Sequence, residues 1–118
     1  MSKKILIVDD DPDILEVTSM ILETKGYDVS TSGDGNNIIE IMPDLLLLDI
    51  WMSGKYGSDI CKELKANDNT RQIKIIMISA NRDIAEIASE CGADGFISKP
   101  FKMKDIVAEI QKQLGFAS

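Results

Sequence analysis

The sequence predicts an α/β protein in which five strand–helix units follow one another and a parallel sheet lies between two layers of helices. Two observations carry this. Three short runs are apolar throughout, as suits strands covered on both faces, and stretches of helical period separate them. The three runs are Lys4-Ile-Leu-Ile-Val8, Leu45-Leu-Leu-Leu48 and Ile75-Ile-Met-Ile78. A third observation concerns polarity: the residues just after these runs are acidic, hydroxylic or small rather than apolar.

The first run leads into a helix whose start is signalled by Asp11 as N-cap and Pro12 at the first helical position. Ile14, Val17, Thr18, Ile21 and Leu22 share one face of it, and Gly26 stands just past its end. Tyr27-Asp-Val-Ser-Thr31 alternates apolar with polar residues, which predicts an edge strand. A weak helix is expected over residues 34–41, then the second apolar run, then another weak helix over residues 58–66. After the third run, Ile84, Ile87, Ala88 and Cys91 make a helix face that Asn81 caps and Gly92 closes. Gly95-Phe-Ile-Ser98 is a short second edge strand, and Met103, Ile106, Val107, Ile110 and Leu114 form the last helix face. With the most apolar strands central and the other two at the edges, the order is 2-1-3-4-5, a flavodoxin-like (βα)5 sandwich.

At 118 residues the chain is expected to be one domain, residues 1–118, with no linker and no output domain after it. Twenty acidic against 13 basic residues give a charge of −7, which opposes direct nucleic-acid binding. No apolar run approaches the roughly eighteen residues of a membrane span, and no signal-peptide profile opens the chain. A cytoplasmic location is therefore expected, with Cys61 and Cys91 as reduced packing residues on helices.

In an open parallel sheet, ligands meet residues just beyond the carboxyl ends of the strands. Here that rule gathers Asp9 and Asp10 after the first strand, Asp49 at the end of the third, Ser79 at the end of the fourth and Lys99 after the fifth. Neighbouring carboxylates repel by roughly 4 kcal/mol per pair at 4 Å and an effective dielectric of 20, so a bound cation is implied. The donors are all oxygens and the chain contains no histidine, which favours a hard ion, and a few carboxylates with positions left open suit Mg²⁺ better than Ca²⁺. An ion beside Asp49 with Lys99 and Ser79 opposite suits phosphoryl transfer: cations neutralise the equatorial oxygens, the hydroxyl donates to one of them, and the Asp49 carboxylate attacks to form an acyl phosphate.

The chain resembles the receiver domains of two-component response regulators along essentially its whole length. The resemblance rests on Ile5-Leu-Ile-Val-Asp-Asp10, on Pro43-Asp-Leu-Leu-Leu-Leu-Asp49 leading to Met52 and Gly57, on Ile78-Ser-Ala80, and on Gly92-Ala-Asp-Gly-Phe-Ile-Ser-Lys-Pro-Phe101. It implies that Asp49 is the phosphoacceptor and that Asp10, Asp49 and the backbone carbonyl of Trp51 bind Mg²⁺, with Asp9 helping through water. It makes Ser79 and Phe96 the switch pair, Lys99 the phosphoryl-stabilising lysine, and Lys99–Pro100 a cis bond. The implied partners are a sensor histidine kinase or histidine phosphotransfer protein upstream and a target protein downstream. The resemblance further implies that this target reads the surface of helix four, strand five and helix five, and that the chain is a monomer or a phosphorylation-linked dimer. It implies a signalling phosphoacceptor that assists its own phosphorylation and dephosphorylation, rather than an enzyme.

Three features depart from the family pattern: Ser53 stands where proline is usual, the stretch from Gly35 to Pro43 is short, and the switch aromatic is Phe96 instead of tyrosine. Trp51, just past the site, is a candidate shield of the phosphoryl group from water. Three rivals share parts of this pattern. A flavin-binding protein of the same fold wants a Gly/Ser/Thr-rich loop after the first strand, where Asp9, Asp10 and Asp11 would repel phosphate. A phosphatase of the haloacid dehalogenase type wants a second Asp two residues after the nucleophile, where Trp51 sits. A phosphorylation-independent interaction module has no need of the full set of acids, hydroxyl and lysine.

Overall fold

Buried apolar strands and intervening helices take these positions in the computed structural model, which describes residues 3–52 and 55–115; the side chains of Trp51, Met52 and Lys55 lie outside the description. The strands and helices are β1 (Lys4–Val8), α1 (Pro12–Thr24), β2 (Asp28–Ser32), α2 (Ile38–Ile41), β3 (Leu45–Asp49), β4 (Trp51–Met52), β5 (Lys55–Tyr56), α3 (Gly57–Ala66), β6 (Lys74–Ser79), α4 (Ile84–Cys91), β7 (Gly95–Ser98) and α5 (Met103–Leu114). Five strands form one parallel sheet in the order β2-β1-β3-β6-β7, so the two alternating or short segments are its edges, as their sequence predicts. Counting only these five, the order is 2-1-3-4-5.

Side chains of successive strand residues point to opposite faces, and this parity sorts the core into two clusters. Leu6, Val8, Leu46, Leu48, Ile75 and Met77 meet Ile38 of α2, Cys61 and Leu64 of α3, and Ile84, Ala88 and Cys91 of α4. Ile5, Ile7, Leu45, Leu47, Ile76, Ile78 and Ile97 meet Leu22 of α1 and Ile106 and Ile110 of α5. Both faces are dry, which is why the three central runs contain no alternation. No described helix is long and apolar enough to cross a membrane.

The helix ends follow their expected chemistry in part. Asp11 Oδ1 accepts from the Asp13 amide at 3.0 Å, Pro12 opens α1, and Gly26 beyond it takes φ +95°. Gly92 closes α4 in the left-handed region, as expected. Asn81 does not cap α4: its Oδ1 accepts from the Asp83 amide at 2.8 Å, making a turn that delays the helix to Ile84. The inner stripe of α1 is also rotated from the expected one, because Leu15, Thr18 and Leu22 face the sheet while Val17 is 47 % exposed. The expected helix over residues 34–41 shrinks to the single turn of α2, since Asp34 and Ser32 tie the preceding residues into side-chain-bonded turns.

Cys61 and Cys91 are free and buried, as predicted, where α3 packs on α4. Cys61 Sγ donates to the Cys91 carbonyl oxygen at 3.3 Å, and burial pushes its thiol well above the ordinary value of 9.0. A raised pKa in the folded state adds stability below the unfolded value, and that stability is lost as pH climbs past it. Denaturant melts should therefore show stability falling as pH rises above about 9. Replacing Cys61 with Ala should flatten that alkaline slope, and an unchanged slope would show that other groups cause it.

Candidate functional site

The site forms at the carboxyl ends of β1, β3, β6 and β7, which lie in that order across the sheet. The Asp9 amide donates to the Ser32 carbonyl at 3.1 Å, extending the β1–β2 ladder one residue past Val8 and holding the Asp9 backbone rigid. Its Oδ1 accepts from the Asp11 amide at 2.9 Å, which bends the chain toward α1 and leaves Oδ2 aimed across the sheet end. Asp9 is 2 % exposed, and Oδ2 is buried with no hydrogen-bond partner among the described residues. Asp49 closes β3 opposite Ile78 and is 8 % exposed. Asp10 is exposed at the rim.

Carboxylate oxygens of Asp9, Asp10 and Asp49 all lie within 4.8 Å of one another. Lys99 Nζ stands 3.7 Å from Asp9 Oδ2 and 3.7 Å from Asp49 Oδ2. Its backbone is placed by a 2.8 Å bond from the Lys99 amide to the Ser79 carbonyl and by a cis Lys99–Pro100 peptide. Each contact is worth about 4 kcal/mol at an effective dielectric of 20, so the ammonium offsets much of the repulsion between the two buried acids. Three carboxylates and one ammonium still leave two negative charges, which one divalent cation cancels. An orphaned buried oxygen beside two further carboxylates is a donor set that fits a hard ion such as Mg²⁺.

The structure thus gathers Asp9, Asp10, Asp49 and Lys99. Ser79 ends β6 next to them, half-buried, and its Oγ accepts from the Asn81 amide at 3.0 Å, so its own loop holds it. Phe96 lies opposite Met77 on the edge strand and is 43 % exposed, turned to solvent and outside the core. Trp51 begins β4, which pairs antiparallel with β5; its side chain, and hence the shielding idea, falls outside the described residues, as does Ser53.

That hairpin was not foreseen, because two-residue strands have no periodicity to read. It sends the chain back so that Gly57 reaches the phosphoacceptor candidate: the Gly57 amide donates to the Ile50 carbonyl, and a Cβ on Gly57 would collide with the Asp49 carbonyl oxygen. Glycine in a helix is ordinarily worse than alanine by about 1 kcal/mol. Here the sign reverses, and Gly57→Ala should destabilise the protein by about 2 kcal/mol in urea melts. Equal or higher stability would mean that the loop yields without cost.

Asp94 shows the opposite case, a motif acid outside the site. Its Oδ2 accepts from Lys65 Nζ at 2.8 Å and from the Ile75 amide at 2.8 Å, at the amino end of β6. It latches α3 to the sheet.

Comparison with known proteins places these features in context. A family model described as the response regulator receiver domain matches residues 5–111. The DNA-binding response regulator MtrA of Mycolicibacterium smegmatis is 37 % identical over 97 % of this chain and 51 % of its own length. The chain therefore spans about half the length of the curated relatives it matches. A CheY-like receiver domain protein from Methanospirillum hungatei superposes with TM-score 0.86 and 32 % identity, covering 97 % of this chain and 94 % of its own. The receiver domain of the Pseudomonas aeruginosa sensor histidine kinase PA1611, solved with a magnesium ion in its active-site cleft, gives TM-score 0.84 and 26 % identity, covering 98 % and 99 % of the two chains.

Proposed function

The chain belongs to the response regulator receiver domain family, the phosphoacceptors of two-component signalling, and on that premise we propose that Asp49 is the residue that takes the phosphoryl group. The observation that carries this reading is the meeting of Asp9, Asp10 and Asp49 within 4.8 Å under the Lys99 ammonium. Asp9, Asp10 and Asp49 would hold Mg²⁺, together with the Trp51 carbonyl, and the ion would neutralise charge on the transferring group.

The donor is the phosphohistidine of a sensor kinase or phosphotransfer protein, since this chain has no histidine of its own. An Asp49 carboxylate oxygen attacks phosphorus, a P–O bond forms as the P–N bond breaks, and imidazole leaves with a proton. Lys99 moves from balancing two carboxylates to balancing the new dianion, at little cost in reorganisation because the ammonium is already in place. No general base is needed, so positioning supplies most of the rate, and the chain assists both its phosphorylation and its dephosphorylation.

Switching follows from the same geometry. Ser79 leaves its bond to the Asn81 amide and donates to a phosphoryl oxygen, drawing the loop before α4 inward. Phe96, now at the surface, enters the space vacated. The result biases a two-state equilibrium of the α4–β7–α5 surface, which a protein target reads in the cytoplasm. The charge of −7 opposes contact between this domain itself and nucleic acid.

Incubating the chain with acetyl phosphate and Mg²⁺ and weighing it by mass spectrometry tests the proposal. A single added phosphoryl group, absent when the metal is chelated, is expected. No addition under any donor would favour a phosphorylation-independent module on the same scaffold.

A further inference from the structure

We propose that the outer edge of β2 pairs with the same edge of a second copy of this chain, antiparallel about a twofold axis at Ser30. β2 ends the five-stranded sheet, with β1 as its neighbour on one side. Two bonds show which way its backbone faces. The Asp28 amide donates to the Lys3 carbonyl at 2.9 Å, and the Ser32 carbonyl accepts from the Asp9 amide at 3.1 Å. Residues 28, 30 and 32 therefore turn their backbone groups toward β1, and Val29 and Thr31 turn theirs outward. The outward amides and carbonyls of those two residues have no hydrogen-bond partner among the described residues.

Such an edge is a template for another strand, and proteins usually blunt it with lysine, proline or a bulge. β2 has none of these: it reads Asp-Val-Ser-Thr-Ser, and its register with β1 is unbroken. Backbone geometry then chooses the occupant. With the axis at Ser30, Val29 of each copy lies opposite Thr31 of the other. Each such pair exchanges two N–H···O=C bonds, so all four outward groups on each strand are satisfied at once. Moving the axis to Val29 sets Thr31 opposite Tyr27, whose amide already donates to the Leu22 carbonyl. Moving it to Thr31 sets Val29 opposite Gly33, beyond the end of the strand.

The side chains agree with that register. Val29 and Thr31 are both β-branched and both lie on the α1 face, which makes each pair a favourable cross-strand contact. Met20, 61 % exposed, lines the groove between α1 and Thr31 that the second strand would flank. The Asp28 residues of the two copies stand four residues apart, about 14 Å, beyond the screening length of about 8 Å at physiological salt. Glu16 and Glu23 line the same groove and each copy carries −7, so salt should strengthen the contact. β1 separates β2 from β3, and the α4–β7–α5 surface lies at the opposite edge of the sheet. The proposal therefore stands whether or not Asp49 accepts a phosphoryl group.

Sedimentation of the full chain at concentrations up to roughly 0.5 mM should show a monomer–dimer equilibrium, as expected for a small interface. Thr31→Pro removes an outward amide while sparing the ladder to β1, and should weaken dimerisation at least about tenfold. Crosslinking gives an independent reading. Ser30→Cys sets two thiols across a non-hydrogen-bonded pair, with Cα atoms about 4.5 Å apart and within disulfide reach. Diamide should then yield a covalent dimer, whereas Asp28→Cys, about 14 Å from its mate, should yield little. Circular dichroism melts check that Thr31→Pro stays folded, and the two cysteine variants decide the matter if it does not. A chain monomeric at every concentration, a dimer indifferent to Thr31→Pro or dispersed by salt, or equal crosslinking of the two cysteine variants would overturn the proposal.

Discussion

Asp49→Asn should abolish phosphoryl uptake, lowering it by at least about a thousandfold in the mass-spectrometric assay, while the chain stays folded. The substitution keeps the shape of a side chain that is 8 % exposed, so packing at the end of β3 survives. What goes is the nucleophile, because an amide oxygen carries too little charge to attack phosphorus. The same substitution removes one of three acids crowded within 4.8 Å, and so relieves repulsion in magnesium-free buffer. Thermal melts should therefore show Asp49→Asn at least as stable as the unaltered chain without metal, and less stabilised by it. In the unaltered chain, Mg²⁺ at a hundredfold excess over its dissociation constant should add about 2.7 kcal/mol. Uptake that persists in Asp49→Asn would assign the phosphoryl group to another residue.

Lys99→Ala should slow phosphoryl uptake by about a hundredfold or more, the usual effect of removing one preorganised charge from a developing oxyanion. It has a second, separable effect on stability. Lys99 Nζ lies 3.7 Å from both Asp9 and Asp49, and losing it leaves two buried acids short of a counter-charge. The cost without metal should be about 2 kcal/mol, less than for a fully buried pair because Lys99 keeps 26 % of its side chain in solvent. Mg²⁺ should restore most of that stability by replacing the lost positive charge, yet it should not restore the rate, since the ammonium also positions the transferring group. Circular dichroism melts with and without the metal, run beside the uptake assay, separate the two effects. Full recovery of the rate by Mg²⁺ would reduce Lys99 to a structural counter-ion.

Several features were legible in the sequence because local physics sets them. Three apolar runs without alternation required strands covered on both faces, and that alone placed β1, β3 and β6 in the middle of the sheet. Once the sheet is parallel, the residues after its strands must share one end, so Asp9, Asp49 and Lys99 were bound to converge. Other features were not legible. The face of α1 was misjudged because Val17 and Leu15 are equally apolar, and only the docking angle on the sheet decides which one is buried. Asn81 reads equally as a cap or as a turn residue, and the path from β6 into α4 selects the turn.

Sequence alone determined the strand–helix alternation, the strand order and the chemical identity of the groups at the mouth of the sheet, because burial and backbone pairing act on residue types wherever they lie. Tertiary structure alone decided that Gly57 presses on the Asp49 carbonyl, that Asp94 ties Lys65 of α3 to the amino end of β6, and that a one-turn α2 leaves a groove open beside α3. Those outcomes depend on distances between segments far apart in the chain, which packing sets and no local pattern encodes.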